Sequence, residues 1–139
     1  MFIETALSTS FGRTLTYYAH FVEAMKKGKP DSVYQLRRNY VRENMSQECF
    51  TLMANMGDGG HNVPVIKDKW GIRKLTPREC ANLQGYDKSF VLPAHLSRAQ
   101  LGKQIGNSVT VPLVKLLAVR CIEAVRAVKL GLKSRTSRG

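Results

Sequence analysis

The stretch 73–86, RKLTPRECANLQGY, carries the strongest local structural signal in the sequence. Thr76 can cap a helix, Pro77 suits the first helical position, and Glu79 stands where a capping box needs its acid. Gly85 is a suitable end, because glycine readily takes the left-handed conformation that follows many helices. The stretch therefore predicts a short helix with both of its ends specified.

A second pair of helices is predicted downstream of this stretch. Ser97 repeats the capping pattern for another short helix, which Gly106 would end. The segment 106–112, GNSVTVP, then leads into a long final helix, predicted from about Val109 or Thr110 to Leu130. Its apolar stripe consists of Leu113, Val114, Leu117, Cys121, Val125 and Val128.

Upstream of residue 73 the sequence predicts one helix followed by short strands. The helix spans about Thr14 to Lys27, where apolar residues recur every three or four positions and Gly28 is a plausible stop. The glycine-rich stretch 55–62 can approach a ligand closely, but glycine content alone favours an ordinary hairpin loop, and only the arginines on the preceding strands shift the balance toward a ligand-binding loop. The β-prone segments are Val33–Leu36, Tyr40–Arg42, Cys49–Met53 and Val63–Ile66.

The composition indicates a basic protein of the size of a single domain. The net charge of +12 over 139 residues favours a polyanionic partner such as nucleic acid over a merely solvated basic surface. Arg37, Arg38 and Arg42 could grip phosphate or read guanine, although each could equally belong to a solvated charged face.

The cysteines, histidines and apolar runs limit the class of protein. The sequence has three cysteines, an odd number, and they are widely spaced at Cys49, Cys80 and Cys121. They therefore indicate neither a disulfide framework nor a zinc site, and no metal is expected. A reducing cytoplasm fits this cysteine usage. No membrane association is expected, because no apolar run approaches the ~20 residues that a membrane span needs.

The motifs resemble the last conserved blocks of the DNA cytosine-5 methyltransferases. The family's ninth block resembles Arg73–Tyr86, its tenth resembles Gln104–Pro112, and residues 33–57 look like its target-recognition region. Three features of the family are missing from the sequence: no cysteine follows a proline, the Glu-Asn-Val block is absent, and so is the N-terminal glycine-rich loop that cradles the cofactor. The chain therefore resembles the C-terminal part of such an enzyme, like the beta subunit of a methylase split over two polypeptides.

The resemblance implies a divided mechanism, with no catalytic residue in this chain. A catalytic alpha-type subunit would supply the nucleophilic cysteine and the acid, and would share S-adenosylmethionine with this chain in a heterodimer. The cofactor would touch Asn107, Ser108 and Val109, which we expect at the N-terminus of the final helix, where free N–H groups suit a carboxylate. Helix capping alone is the alternative for Asn107 and Ser108.

Double-stranded DNA is the second partner that the resemblance implies. Arg42 is the favoured base contact, with Arg37 or Arg38 on phosphate. A structural role is expected for Arg73, Thr76, Arg78, Glu79 and Gly85. The segment expected in the major groove comprises Thr51, Leu52, Met53, Ala54, Asn55, Met56, Gly57, Gly59, Gly60, His61 and Asn62.

The expected fold class is mixed α/β, with a small β-rich recognition module followed by a helical segment that completes a partner's Rossmann-like methyltransferase domain. The predicted divisions are an N-terminal helical segment 1–31, a recognition module 32–95, a helical segment 96–132, and a disordered basic tail 133–139. The expected role is that of the DNA-recognition subunit of a restriction-modification methylase. A stand-alone DNA-binding module and an inactive remnant remain the alternatives.

Overall fold

The computed structural model describes residues 14–29, 31–38, 40–46, 48–56 and 62–136. Its contacts divide the chain into two compact units, residues 1–108 and residues 109–139. The first unit combines helices with an antiparallel sheet, and this agrees with the predicted mixed α/β class.

Helix α1 and a four-stranded sheet form the first part of this unit. Helix α1 spans Thr14–Lys27, as predicted from its apolar spacing. The sheet has the order β2-β1-β3-β4, with every neighbouring pair antiparallel. Its strands are β1 (Val33–Arg37), β2 (Tyr40–Asn44), β3 (Pro64–Asp68) and β4 (Gly71–Lys74).

One face of the sheet is covered by α1. Because side chains alternate along a strand, Tyr34 and Leu36 point to one face and Gln35 and Arg37 to the other. The first face forms a core with α1, and burying these side chains in it is the main favourable contribution to folding here. The buried residues of this first core are Phe21, Met25, Tyr34, Leu36, Val65 and Ile72.

Two predictions for the strands were wrong. The β-prone segment 49–53 forms no strand; it is irregular and leads into a short 3₁₀ helix, Ala54–Met56. Its apolar side chains are used in packing against helices, which overrides local β propensity. Strand β4 was not predicted, and it begins at Gly71, whose φ of 116° a residue with a side chain rarely adopts.

The second part of the unit contains two short helices around a second core. Helix α2 (Pro77–Leu83) and helix α3 (Arg98–Gly106) both begin with the predicted capping boxes, at Thr76 and Ser97. Helix α3 packs against α2 and the 3₁₀ helix, so it belongs to this unit rather than to the segment that follows. The buried residues of this second core are Leu52, Met56, Cys80, Ala81 and Ile105.

The second unit consists of one long helix, α4 (Val111–Thr136). The helix begins one residue after the later of the two predicted starts and continues past the predicted end at Leu130, into the segment predicted as a disordered tail. Every side chain described in it, from Val111 to Lys129, is exposed. Among the described residues, no helix is both long and apolar enough to cross a membrane.

Candidate nucleic-acid interface

The face of the sheet opposite α1 carries a basic and aromatic group. The register places Arg37 directly across from Tyr40, and Gln35 across from Arg42, on neighbouring strands. Since cross-strand partners share a face, these four side chains project away from the first core. Two of the arginines predicted to bind DNA are therefore brought together on one surface.

Arg42 is an exposed base-contact candidate on this surface. Its side chain is exposed, and its guanidinium carbon lies 5.1 Å from the centre of the Phe50 ring. A cation–π contact of this kind limits the freedom of the guanidinium and uses its face, so that the donors on its edge are not consumed by the ring. Arg38, in the turn after β1, is also exposed.

Tyr40 was missed by the sequence reasoning. Its side chain is 58% exposed, and it lies two residues before Arg42 on the same face. An aromatic ring beside arginines suits stacking on a nucleotide or hydrogen bonding to phosphate. The alternation of Tyr40 with Arg42 was the signal that could have identified it.

Arg37 lies differently from the other two arginines. It is only partly exposed, and its Nη1 donates to Oδ1 of Asn62 at 2.5 Å. The same nitrogen lies 3.5 Å from the Gln35 side-chain oxygen. The structure therefore turns part of this guanidinium toward the protein rather than toward solvent.

The predicted major-groove segment divides into exposed and buried positions. Thr51 and Met53 are exposed, whereas Ala54, Asn55 and Asn62 are partly buried. The expectation for two members must be corrected: the side chains of Leu52 and Met56 are buried in the second core, so neither can reach a base. Four other members, Gly57, Gly59, Gly60 and His61, lie outside the described residues.

Arg73 joins the sheet to helix α2. Its Nε donates to Asp68 Oδ2 at 2.7 Å, and Nη1 and Nη2 each donate to a carboxylate oxygen of Glu79 at 2.9 Å. Glu79 also accepts hydrogen bonds from the backbone N–H and the hydroxyl of Thr76, at 2.7 and 2.8 Å. The Arg73 guanidinium is the main reason that the pKa of Glu79 falls to about 2.

The remaining two residues predicted to be structural also make local contacts. Gly85 has φ 80°, and the N–H groups of Gly85 and Tyr86 bond to the Asn82 and Ala81 carbonyls at 2.9 and 3.0 Å, the pattern of a Schellman motif. Arg78 donates through Nη2 to the Phe90 carbonyl at 2.5 Å, which ties the segment after α2 back to that helix.

Two of the three cysteines are held as thiols by burial. Burial raises the pKa of Cys49 to about 11 and that of Cys80 to about 12, so both remain thiols at neutral pH. Cys121 is exposed on α4. Within the described ranges, no three His, Cys, Asp or Glu side chains are grouped so that they could hold a metal ion.

The predicted cofactor segment is placed differently from expectation. Asn107 is the C-cap residue of α3, where its N–H bonds to the Lys103 carbonyl at 3.0 Å, and the Ser108 hydroxyl donates to the Ile105 carbonyl at 2.7 Å. The expectation that Asn107 and Ser108 start the final helix was therefore wrong, because both residues complete the preceding one. Val109 belongs to the second unit and is exposed.

Comparison with known proteins identifies the family. The family model for C-5 cytosine-specific DNA methylases matches residues 5–123, so the chain belongs to this family. A type II methyltransferase of Bacillus sp. (strain RFL6), M.Bsp6I, is 54% identical over 103 residues, which are 74% of this chain and 32% of that protein.

Other relatives match in the same way. M1.ScrFI of Lactococcus lactis subsp. cremoris is 35% identical over 60% of this chain and 21% of its own length. M.HpaII of Haemophilus parainfluenzae is 49% identical over 45% of this chain and 17% of its own length. Both are type II methyltransferases. The chain thus spans about a third or less of the curated relatives that it matches, and no solved structure matches it.

Proposed function

We propose that this chain is the DNA-recognition part of a cytosine-5 methyltransferase, which acts with a catalytic subunit to methylate one duplex sequence in a restriction-modification system. The observation that carries the proposal is the surface formed by Tyr40 and Arg42, with Arg38 exposed in the adjoining turn, in a chain of this family. The family membership supplies the reaction class, and the surface supplies groups that suit a duplex.

The basic surface accounts for DNA binding through two kinds of contact. Arg38 neutralises a phosphate, a contact that strengthens binding without reading sequence and weakens with salt. Arg42, held over Phe50, reads guanine O6 and N7 with its two-pronged edge. The exposed side chains of Thr51 and Met53 add contacts in the major groove.

The catalytic chemistry is assigned to a partner chain. The sequence contains no proline followed by cysteine, and the two half-buried or buried thiols remain protonated at neutral pH. The partner supplies the thiolate and the S-adenosylmethionine pocket, and the target cytosine must leave the stack to reach them. Asn107, Ser108 and Val109 approach the cofactor from this chain, through side chains and loop backbone.

Helix α4 is the proposed attachment to the catalytic subunit. Leu113, Leu117 and Val125 are all about half exposed, and they lie on one stripe of the helix, away from Lys115 and Arg126. Docking of this stripe onto the partner's Rossmann-like domain removes apolar surface from water, which favours assembly.

A specificity swap tests this proposal. The catalytic subunit is reconstituted first with this chain and then with the corresponding region of a relative that methylates another sequence, and 5-methylcytosine is mapped in plasmid DNA. The methylated sequence should change with the exchanged chain. An unchanged methylated sequence would assign recognition to the catalytic subunit and refute the proposal.

A further inference from the structure

Asn62 is held by strand β1 through both its backbone and its side chain. Its N–H donates to the Leu36 carbonyl at 2.9 Å, and its own carbonyl accepts from Gln35 Nε2 at 2.7 Å. Its side-chain oxygen accepts from Arg37 Nη1 at 2.5 Å. Three consecutive residues of one strand therefore fix the position and the direction of the chain at Asn62.

The backbone at Asn62 needs this support. Its φ of 71° lies in the left-handed region, which costs free energy for a residue with a side chain, although asparagine tolerates it better than most residues. Gln35 is only 4% exposed, so loss of the Asn62 carbonyl would remove an acceptor from a buried amide N–H group. Displacement of Asn62 from this arrangement therefore costs free energy.

We propose that Arg37 and Gln35 are positioning residues for sequence recognition, which act by fixing Asn62, the last residue of the predicted recognition segment. This inference rests on the proposed function and differs from the expectation that Arg37 grips phosphate. A bidentate base contact is lost when donor and base edge are misaligned. Gln35, which holds the Asn62 carbonyl, lies directly across from Arg42, the proposed base contact.

The test compares substitutions at both ends of the Arg37–Asn62 hydrogen bond. The full chain with its catalytic subunit is assayed on duplexes that carry the methylated site and every single-base variant of it. The variants are Arg37→Ala, Asn62→Gly, their combination, Asn62→Asp and, as control, Arg38→Ala. Glycine keeps the left-handed backbone at Asn62 without the acceptor, whereas aspartate restores an acceptor for Arg37.

Arg37→Ala and Asn62→Gly should each reduce discrimination between the true site and its variants by about tenfold, the factor of roughly one mismatched base pair. The chain with both substitutions should lose no more discrimination than the worse of the two single variants. Asn62→Asp should discriminate like the unaltered chain. Arg38→Ala should lower kcat/KM on all duplexes alike and reduce the salt dependence of binding.

Two results would overturn the inference. One is an Arg37→Ala chain that loses activity equally on all duplexes with a smaller salt dependence, which is the behaviour of a phosphate contact. The other is a combined variant whose loss of discrimination equals the product of the losses in the two single variants. If Arg37→Ala does not fold, the contrast between Asn62→Gly and Asn62→Asp decides the matter. Absence of methylation by the unaltered pair would refute the proposed function instead.

Discussion

The α-carbon of Gly106 lies against the peptide bond between Met53 and Ala54. A Cβ atom added at Gly106 would fall 2.7 Å from the Ala54 nitrogen and closer still to the carbonyl group of Met53. The end of helix α3 therefore packs directly on the backbone of the predicted recognition segment. A glycine is required here because of its missing side chain, and its conformational freedom plays no part.

Replacement of Gly106 by alanine should therefore destabilise the first unit. The new methyl group meets backbone atoms that cannot rotate away, and overpacking of this kind costs about 1–3 kcal/mol. Urea unfolding of the full chain measures the change, with Ala99→Ser on the exposed side of the same helix as control. A Gly106→Ala chain as stable as the control would show that the close contact does not exist.

Stability should fall in acid because of Glu79. Its pKa of about 2 in the folded chain lies below the usual value of 4.5, so the unfolded chain binds the proton more readily. The stabilisation that Glu79 provides is complete above about pH 5 and is lost as the pH falls toward 2. The unfolding free energy of a Glu79→Gln chain, measured between these limits, should change less steeply with pH.

Asp68 supplies the comparison for this pH dependence. Its pKa is also lowered, chiefly by the hydrogen bond from Arg73, so part of the acid sensitivity should persist without Glu79. An Asp68→Asn chain should keep the larger part of the acid sensitivity. Equal steepness in the unaltered and Glu79→Gln chains would mean that the Arg73–Glu79 contact does not hold the two parts of the unit together.

Arg42 should contribute to DNA affinity in a sequence-dependent way. Arg42→Ala should weaken binding of the cognate duplex by about 1–3 kcal/mol, the value of a lost bidentate base contact. Lys67→Ala is the matched control, because this exposed lysine pairs with Ile72 and so lies on the α1 side of the sheet. Equal losses from the two variants in fluorescence titrations would show that only net charge matters.

Assembly with the catalytic subunit should depend on the apolar stripe of α4. Leu117→Gln removes a large apolar side chain from the proposed contact and should weaken the complex about tenfold or more. Lys115→Gln places the same new residue on the charged side of the helix and should leave the dissociation constant unchanged. Analytical ultracentrifugation of the mixed chains separates these outcomes, and the reverse order of effects would place the contact elsewhere.

Features set by short-range chemistry were predictable from the sequence. The capping boxes at Thr76 and Ser97 and the Schellman motif at Gly85 need only neighbouring residues, and all three are present. Segment 49–53 was wrongly predicted as a strand, since the second core buries Leu52 beside Ile105, far away in sequence. No local pattern reveals such a contact.

The candidate site was also predictable only in part. Arg37, Arg38 and Arg42 were predicted as a group because they are close in sequence, and their binding of DNA stays a prediction. Their separate environments depend on the register of β1 and β2 and on Asn62, which sequence alone does not give. Asn107 was misplaced because a short loop between two helices leaves open which helix its residues cap.

The central claim is that this chain supplies recognition while another chain supplies the chemistry. Transfer of tritiated methyl groups from S-adenosylmethionine to duplex DNA tests it most directly, with this chain alone, with the catalytic subunit alone, and with both together. We predict incorporation only for the mixture, at cytosines of one sequence. Incorporation by this chain alone, or undiminished site-specific incorporation by the catalytic subunit alone, would contradict the account.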